Sequence, residues 1–413
     1  MDSKETSVTQ RKIVKVLAIS QVLSGVGVAG TVAAGSLLVS SISKSETLAG
    51  LAQTTAVLGA AAMALPLSRL TQRGGRRLGL SVGYFIGSLG AVLAIIGGAN
   101  KILFLMLCGT FMLGASSAAG YQARFAAVDL ATNESRSRQL SFVVWGSTIG
   151  AVAGPNLMQP SGNLAELLGL PRLVGPYMIA ATSLSLVVVV VRLFLRPDPY
   201  LTAIAINKQS NIHHQTLPAR EALRIIRNNP IALFAIAAIA IGHVAMVSVM
   251  SMTPIHMSHY DITLTIIGLV ISVHILGMYA FSPIVGILSD RVGRKRVIQI
   301  GVLILLLSAL ISGTAANHDS VSLGIGLFLL GLGWSCTLIA GSALLSESME
   351  SHLRPSSQGA SDLVMNLMGA GGGALAGVII GTLGYSWLCL FAAIPVAGLG
   401  IWSLRIKERT TTA

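Results

Sequence analysis

Twelve stretches of about 20 apolar residues dominate the sequence: 14–39, 48–68, 78–98, 102–126, 139–159, 174–195, 230–254, 264–288, 297–315, 321–345, 359–383 and 387–404. A helix needs about 20 such residues to cross the ~30 Å hydrocarbon core of a bilayer. In lipid every backbone polar group must be satisfied internally, so runs of this length predict membrane-spanning helices. Charged residues make up only 10% of the chain, against about 25% in a soluble domain. So little charge cannot cover a water-exposed surface, which excludes a soluble enzyme, a disordered chain and a nucleic-acid-binding module. The first run is too long for a cleavable signal peptide and is read as a span. Cys108, Cys336 and Cys389 lie far apart inside apolar runs, too few for a disulfide framework or a zinc site. No metal and no cofactor are expected.

Between runs the connectors are short, except for 196–229, which carries Pro197, Pro199, His213, His214 and Pro218. This polar stretch predicts a linker between an N-terminal six-helix bundle (1–195) and a C-terminal one (230–413). Its end, Leu217–Asn229, is amphipathic and basic through Arg220, Arg224 and Arg227, a pattern suited to the membrane surface. Lysine and arginine concentrate on the cytoplasmic side of membrane proteins. With an even number of spans both termini share one face, and that face takes all but Lys44, Lys101 and Arg172, a split of 25 to 3. It includes Arg69, Arg73, Arg76 and Arg77, the linker, Arg291 to Arg296, Arg354, Arg405, Lys407 and Arg409. Both termini are therefore expected in the cytoplasm of a plasma-membrane protein, with the net charge of +13 turned toward anionic lipid headgroups.

An internal repeat follows from one offset. Residues 286–295 read G-I-L-S-D-R-V-G-R-K and residues 68–77 read S-R-L-T-Q-R-G-G-R-R, matching at an offset of 218 through Arg73/Arg291, Gly75/Gly293 and Arg76/Arg294. The same offset maps Asp129 onto Glu347 and Arg136 onto Arg354. Independent features that agree on one offset identify a duplicated six-helix unit.

Gly286-x-x-x-Asp290-Arg291-x-Gly293-Arg294-Lys295, set between two apolar runs of a twelve-run chain, resembles the loop motif of the major facilitator superfamily, and the resemblance spans almost the whole chain. It implies an all-α fold of two pseudo-symmetric six-helix bundles working as a monomer. Gly293 permits a tight turn, and Arg73, Arg76, Arg291 and Arg294 form a cytoplasmic charge cluster that carboxylates of the other half can bridge. The family implies that Asp290 caps a neighbouring helix N-terminus, where the macrodipole favours an anion. Asp129, Arg136, Glu347 and Arg354 look like the remaining members of this gate. Ordinary positive-inside charge is the alternative account of the arginines. The first copy departs from the pattern, with Gln72 in place of the acid and Ser68 in place of the glycine, so a weaker gate is expected there. The R-x-x-Q-G of many proton-coupled members is also replaced, by Thr110-Phe111-Met112-Leu113-Gly114.

Gly150-x-x-x-Gly154-Pro155 resembles the antiporter motif of drug-exporting branches, without the further glycine, since Met158 stands there. Glycines four apart let a second backbone approach, and Pro155 removes a donor and bends its helix. Gly369, Gly373, Gly377 and Gly381 repeat the spacing as a smooth groove. Simple helix packing explains both sets equally well.

In this fold the substrate site lies near the midplane, where an ionisable residue is by default functional. The acids Asp129, Asp290, Glu347 and Asp362 fall near cytoplasmic helix ends, while Glu46, Glu166, Asp261 and Asp319 fall in or beside outer loops. His243 and His274 do sit within runs, and either could carry a proton or be a neutral ring satisfied by a hydroxyl. Gln21, Gln53, Tyr121, Trp145, Trp334 and Asn366 complete the cavity candidates, the two tryptophans being equally explicable as core. A lining of scattered neutral donors suits an uncharged, amphipathic or weakly cationic organic molecule.

The leading expectation is a secondary transporter of such a small molecule by alternating access, with export favoured and a proton as the candidate coupling ion. Uptake of a vitamin-like solute is the alternative. No G-x-x-x-x-G-K-[ST] loop is present for ATP, and no H-E-x-x-H or serine–base constellation for an enzyme. A sensor that binds a ligand without moving it shares all these features. The expected partners are a small-molecule substrate, protons and the lipid bilayer, with no nucleic acid.

Overall fold

The computed structural model describes residues 3–44, 48, 50–207, 224–258, 260, 262, 264–316 and 318–406. Expectations that fall on His213, His214, Pro218, Arg220, Glu46, Asp261, Lys407 and Arg409 lie outside the described residues. The order is α1 (Ser3–Ser43), α2 (Leu51–Ala99), α3 (Leu103–Ala126), α4 (Arg136–Asn156), α5 (Met158–Leu167), α6 (Gly175–Phe194) and α7 (Pro199–Asn207). Then follow α8 (Pro230–Ser258), α9 (Leu264–Ile275), α10 (Ser282–Val292), α11 (Arg294–Thr314), α12 (Ser320–Ser348), α13 (Arg354–Thr382) and α14 (Tyr385–Arg405).

Among the described residues ten helices are long and apolar enough to cross a membrane, eleven when the bent pair α4–α5 counts as one span. One of them, α2, has 49 residues, more than twice the roughly 20 that a single span needs. It leaves helical geometry at Gly75 and so holds the second and third expected runs. All twelve runs therefore have a helical counterpart. Two differ from the expected outline. The fifth, expected as one span over 139–159, bends by 57° between Asn133–Gly154 and Met158–Leu167. The eighth is interrupted by a π-turn, Leu276–Ala280, a common cause of helix bending. The linker opens with a short helix, α7, because Asp198 caps it: its Oδ1 accepts the backbone N–H of Tyr200 and of Leu201, each at 3.1 Å.

The chain divides into two compact units. The first comprises Met1–Ala131, Phe142–Ala219 and Ser351–Asn366; the second comprises Thr132–Ser141, Arg220–Glu350 and Leu367–Ala413. Grouping by contact rather than by hydropathy thus assigns the first turns of α4 to the second unit and the first turns of α13 to the first. In the first unit Leu17, Leu67, Leu80, Tyr84, Met106, Tyr177 and Leu184 form the core. There α2 and α3 run backbone to backbone: a Cβ on Gly90 would meet the carbonyl of Gly109 at 2.6 Å. With no hydrophobic force between helices in lipid, such small-residue contact is what holds spans together. Phe104, Leu303 and Leu404 are 77%, 66% and 76% exposed, side chains that face lipid in a membrane protein rather than water.

Candidate functional site

Two loop turns, one in each unit, carry the motif residues. Gly75 (φ 86) and Gly293 (φ 105) both sit in the left-handed half of the backbone map, where a side chain is strained. Each turn delivers the next arginine onto an acid. Arg76 is 1% exposed, and its Nε and Nη2 donate to Asp129 Oδ2 and Oδ1 at 2.7 and 3.1 Å. Arg76 Nη2 also donates to Gln358 Oε1 at 2.6 Å. In the second unit Arg294 Nη2 lies 2.8 Å from Glu347 Oε1 and 3.2 Å from Asp290 Oδ1. The residues matched by the offset of 218, Arg76/Arg294 and Asp129/Glu347, therefore form equivalent ion pairs. Arg136 adds to the second, with Nη1 3.7 Å from Glu347.

Asp290 receives the backbone N–H of Ser137 and of Arg138 at 2.9 and 2.8 Å. It closes the first turn of α4, where unpaired donors and the helix dipole favour a carboxylate. Its counterpart Gln72 acts instead as a donor, its amide hydrogen-bonding the side-chain hydroxyl of Ser356, the offset equivalent of Arg138. Arg73 and Arg291, the remaining matched arginines, are both exposed and make no ion pair among the described residues. Arg354, at the start of α13, is half-buried.

The sequence reading missed the strongest asymmetric feature. Arg124, 2% exposed near the end of α3, donates through Nη2 to Asp362 Oδ1 at 2.6 Å. Asp362, expected among the charges near cytoplasmic helix ends, is 1% exposed. A charge inside each of two apolar runs was the available signal; that they meet across 238 residues only the fold reveals. Arg124 also lies over the rings of Tyr121 and Phe125, 5.4 and 4.7 Å from their centroids. Asp198, likewise missed, accepts the backbone N–H of Arg77 at 2.7 Å and so pins the linker to the first loop turn.

One turn along α3 and α13 from this pair, a cavity of about 90 Å³ opens in the first unit. Among the residues lining it are Thr31, Gln53, Ser117, Tyr121, Tyr177 and Asn366, and no charged residue. Gln53, Tyr121 and Asn366 were sequence candidates, and they meet here. At about 30 Å³ per water the volume holds one small ring or substituent. Gln21 lies elsewhere, half-buried, where it donates to Ser147 at 3.3 Å and accepts from Tyr84 at 3.4 Å. Trp145 is 40% exposed and does not line the cavity.

In the second unit the indole Nε1–H of Trp334 donates to Nδ1 of His243 at 3.2 Å, and the ring of Tyr279 meets Trp334 edge-on at 5.7 Å. His274 is fully buried, with Nδ1 2.7 Å from the carbonyl of Leu327. Gly369 makes room for His243: a Cβ there would fall 2.8 Å from the imidazole. The rest of the expected glycine groove behaves otherwise. Gly372 rather than Gly373 makes the close approach to α8, and a Cβ on Gly377 or Gly381 would meet nothing within 4 Å. A spacing of four drifts around a helix of 3.6 residues per turn, so the row cannot stay on one neighbour. Gly150 does pack on a backbone, that of Gly25 in α1, and a Cβ on Gly154 would come within 2.8 Å of the Gly30 nitrogen. Among the described residues no group of three or more histidine, cysteine or acidic side chains could hold a metal.

A duplicated unit of helices long enough to cross a membrane, with two equivalent charged loop turns and a cavity of neutral lining, has the form of a multi-pass solute carrier. The chain belongs to the Major Facilitator Superfamily, whose family profile matches residues 17–264 and 245–413; it is a transporter of small solutes. It is 37% identical over 391 residues to the MFS-type transporter YdeG of Bacillus subtilis (strain 168), covering 95% of this chain and 90% of that one. It is 27% identical over 410 residues to the riboflavin transporter RfnT of Brucella anthropi, covering 98% of each. Among solved structures, the proton:xylose symporter XylE with bound 6-bromo-6-deoxy-D-glucose superimposes with a TM-score of 0.75 at 11% identity, over 97% of this chain and 96% of that one. At that identity the likeness speaks for the fold alone.

Proposed function

We propose that this chain moves an uncharged, ring-containing organic molecule across the plasma membrane by alternating access, with both termini in the cytoplasm. The observation that carries the reading is the cavity wall, where amide and hydroxyl groups of Gln53, Ser117, Tyr121 and Asn366 sit among apolar side chains with no charge. Neutral hydrogen-bonding groups orient a neutral solute; a phosphate or sugar acid would leave its charge unpaired there. The cavity is smaller than the roughly 300–1,000 Å³ of a complete small-molecule site, so it is proposed as the seat for one end of the solute. The ion pairs Arg76–Asp129 and Arg294–Glu347, with Asp290 on the first turn of α4, serve as the cytoplasmic gate.

Export is the favoured direction, on the Gly150-x-x-x-Gly154-Pro155 resemblance. The similarity to a riboflavin transporter favours a vitamin-like heteroaromatic ring as the first class to test. The experiment is counterflow in proteoliposomes with radiolabelled riboflavin and a panel of neutral heteroaromatic compounds, with and without a pH gradient. Saturable exchange that falls at least tenfold in Tyr121→Ala or Asn366→Ala supports the reading. Ligand binding without any flux would instead mark a sensor and sink it.

A further inference from the structure

We infer that Asp362 is a proton-binding site of this protein, with Arg124 as the partner whose ion pair proton binding neutralises. The carboxylates of the two charged clusters differ in how fully they are occupied. Asp129 has both oxygens on Arg76. Asp290 has both oxygens on backbone N–H groups, with Arg294 beside them. Glu347 lies against two arginines. Asp362 is held through Oδ1 alone; its Oδ2 is buried with no hydrogen-bond partner, and Nε of Arg124 is in the same condition. A buried carboxylate oxygen without a donor is costly, and a proton on Oδ2 lowers that cost by removing the negative charge.

The cation can tolerate the change. When Asp362 takes a proton from a hydronium ion, an O–H bond forms on Oδ2 as one O–H bond of the hydronium breaks and leaves water, and the ion pair becomes a contact between a guanidinium and a neutral acid. Arg124 keeps the faces of Tyr121 and Phe125, and cation–π attraction is stronger in a desolvated setting. The other charged and titratable groups around Asp362 are Tyr121 on α3 and Arg76 on α2. Arg76 is already saturated by Asp129 and Gln358.

The pair is also placed to respond to a solute. Tyr121 and Asn366, which line the cavity, stand one helical turn from Arg124 and from Asp362, and the Asn366 amide donates to the Asp362 carbonyl at 2.7 Å. Nothing in the duplicated design requires it, because the offset of 218 puts Ser342 and Val144 at the matching positions. The consequence for coupling rests on the transporter reading; the proton site itself does not.

The test is infrared difference spectroscopy of the purified full-length protein in lipid, stepped from about pH 8 to about pH 5, across which a buried carboxyl can titrate. The wild type should gain a protonated-carboxyl C=O band that is lost in Asp362→Asn and kept in His243→Gln and His274→Gln. Arg124→Gln, which removes the cation that favours the ionised form, should keep the band to higher pH. A band that survives in Asp362→Asn, no band in the wild type, or an unmoved midpoint in Arg124→Gln overturns the assignment. Proteoliposomes loaded with radiolabelled riboflavin separate the two readings. A titrating Asp362 in a protein that moves no solute upholds the proton site and defeats the transport reading. Gradient-driven release of the label undiminished in Asp362→Asn defeats the proton site's role in coupling.

Discussion

Gly359 lies directly against Ser68: a Cβ built on Gly359 would sit 2.6 Å from the Cβ of the serine. In the second unit Gly286 meets Ser141 in the same way, again at 2.6 Å. The offset of 218 maps 68 onto 286 and 141 onto 359, so the two contacts are the same contact with glycine and serine exchanged. Ser68 reads in the sequence as a motif position that lost its glycine. In the fold the glycine is present, on the facing helix. Only the summed volume at the crossing is constrained.

This reciprocity predicts a rescue. Gly359→Ser should destabilise the protein by about 1–3 kcal/mol through overpacking. Adding Ser68→Gly, which recreates the Gly286/Ser141 arrangement, should recover most of the loss. Thermal unfolding in detergent micelles of both single variants and the double gives the coupling. Strict additivity would show that the two positions do not share one space.

The loop turns carry the second expectation. Gly293→Ala and Gly75→Ala each force a side chain into a backbone region used almost only by glycine, at a cost of about 1–3 kcal/mol. Gly75→Ala should be the worse, because its new Cβ would also strike the Asp198 carboxylate. The same unfolding assay ranks them, and equal losses would remove Asp198 from the account.

Arginines that look alike in the sequence should differ sharply. Arg76→Ala strands Asp129 in a buried site, and breaking one partner of a buried pair costs about 3–5 kcal/mol. Arg73→Ala removes an exposed side chain and should change stability by no more than about 0.5 kcal/mol. Expression yield and thermal midpoint decide between them.

Orientation is tested by labelling. In a background with the three native cysteines replaced, Arg73→Cys and Arg291→Cys should react with a membrane-impermeant maleimide only after the cell is opened. Asn100→Cys and His318→Cys should react in intact cells. The reverse pattern overturns the assignment of the charged face to the cytoplasm.

Asp319 offers a pH test at the start of α12. The hydroxyl and the backbone N–H of Ser322 donate to its carboxylate and hold it below the usual carboxylate range. A depressed folded-state value means the stabilisation is present above the unfolded pKa and is lost as pH falls through the folded one. Asp319→Ala should therefore lower the thermal midpoint at neutral pH. The difference from wild type should close as the pH drops below about 4. A gap that is constant with pH would mean the carboxylate charge plays no part in the cap.

The sequence by itself determined the spans, the duplication and the two charged turns. Each is written locally: a run of apolar residues is long enough for a bilayer or it is not, and Gly293 between Asp290 and Arg294 needs no distant partner to mark a turn. Gln53, Tyr121 and Asn366 could be flagged singly as polar groups in apolar runs, but not as walls of one cavity. What only the tertiary structure decided are the pairings. Arg124 and Asp362 are separated by 238 residues, and Ser68 is completed by Gly359. Gly372 takes the contact expected of Gly373, because helix rotation and crossing point, not spacing, choose the residue that faces a neighbour. A buried charge or a missing Cβ has meaning only through the group opposite it, and that group is set by packing.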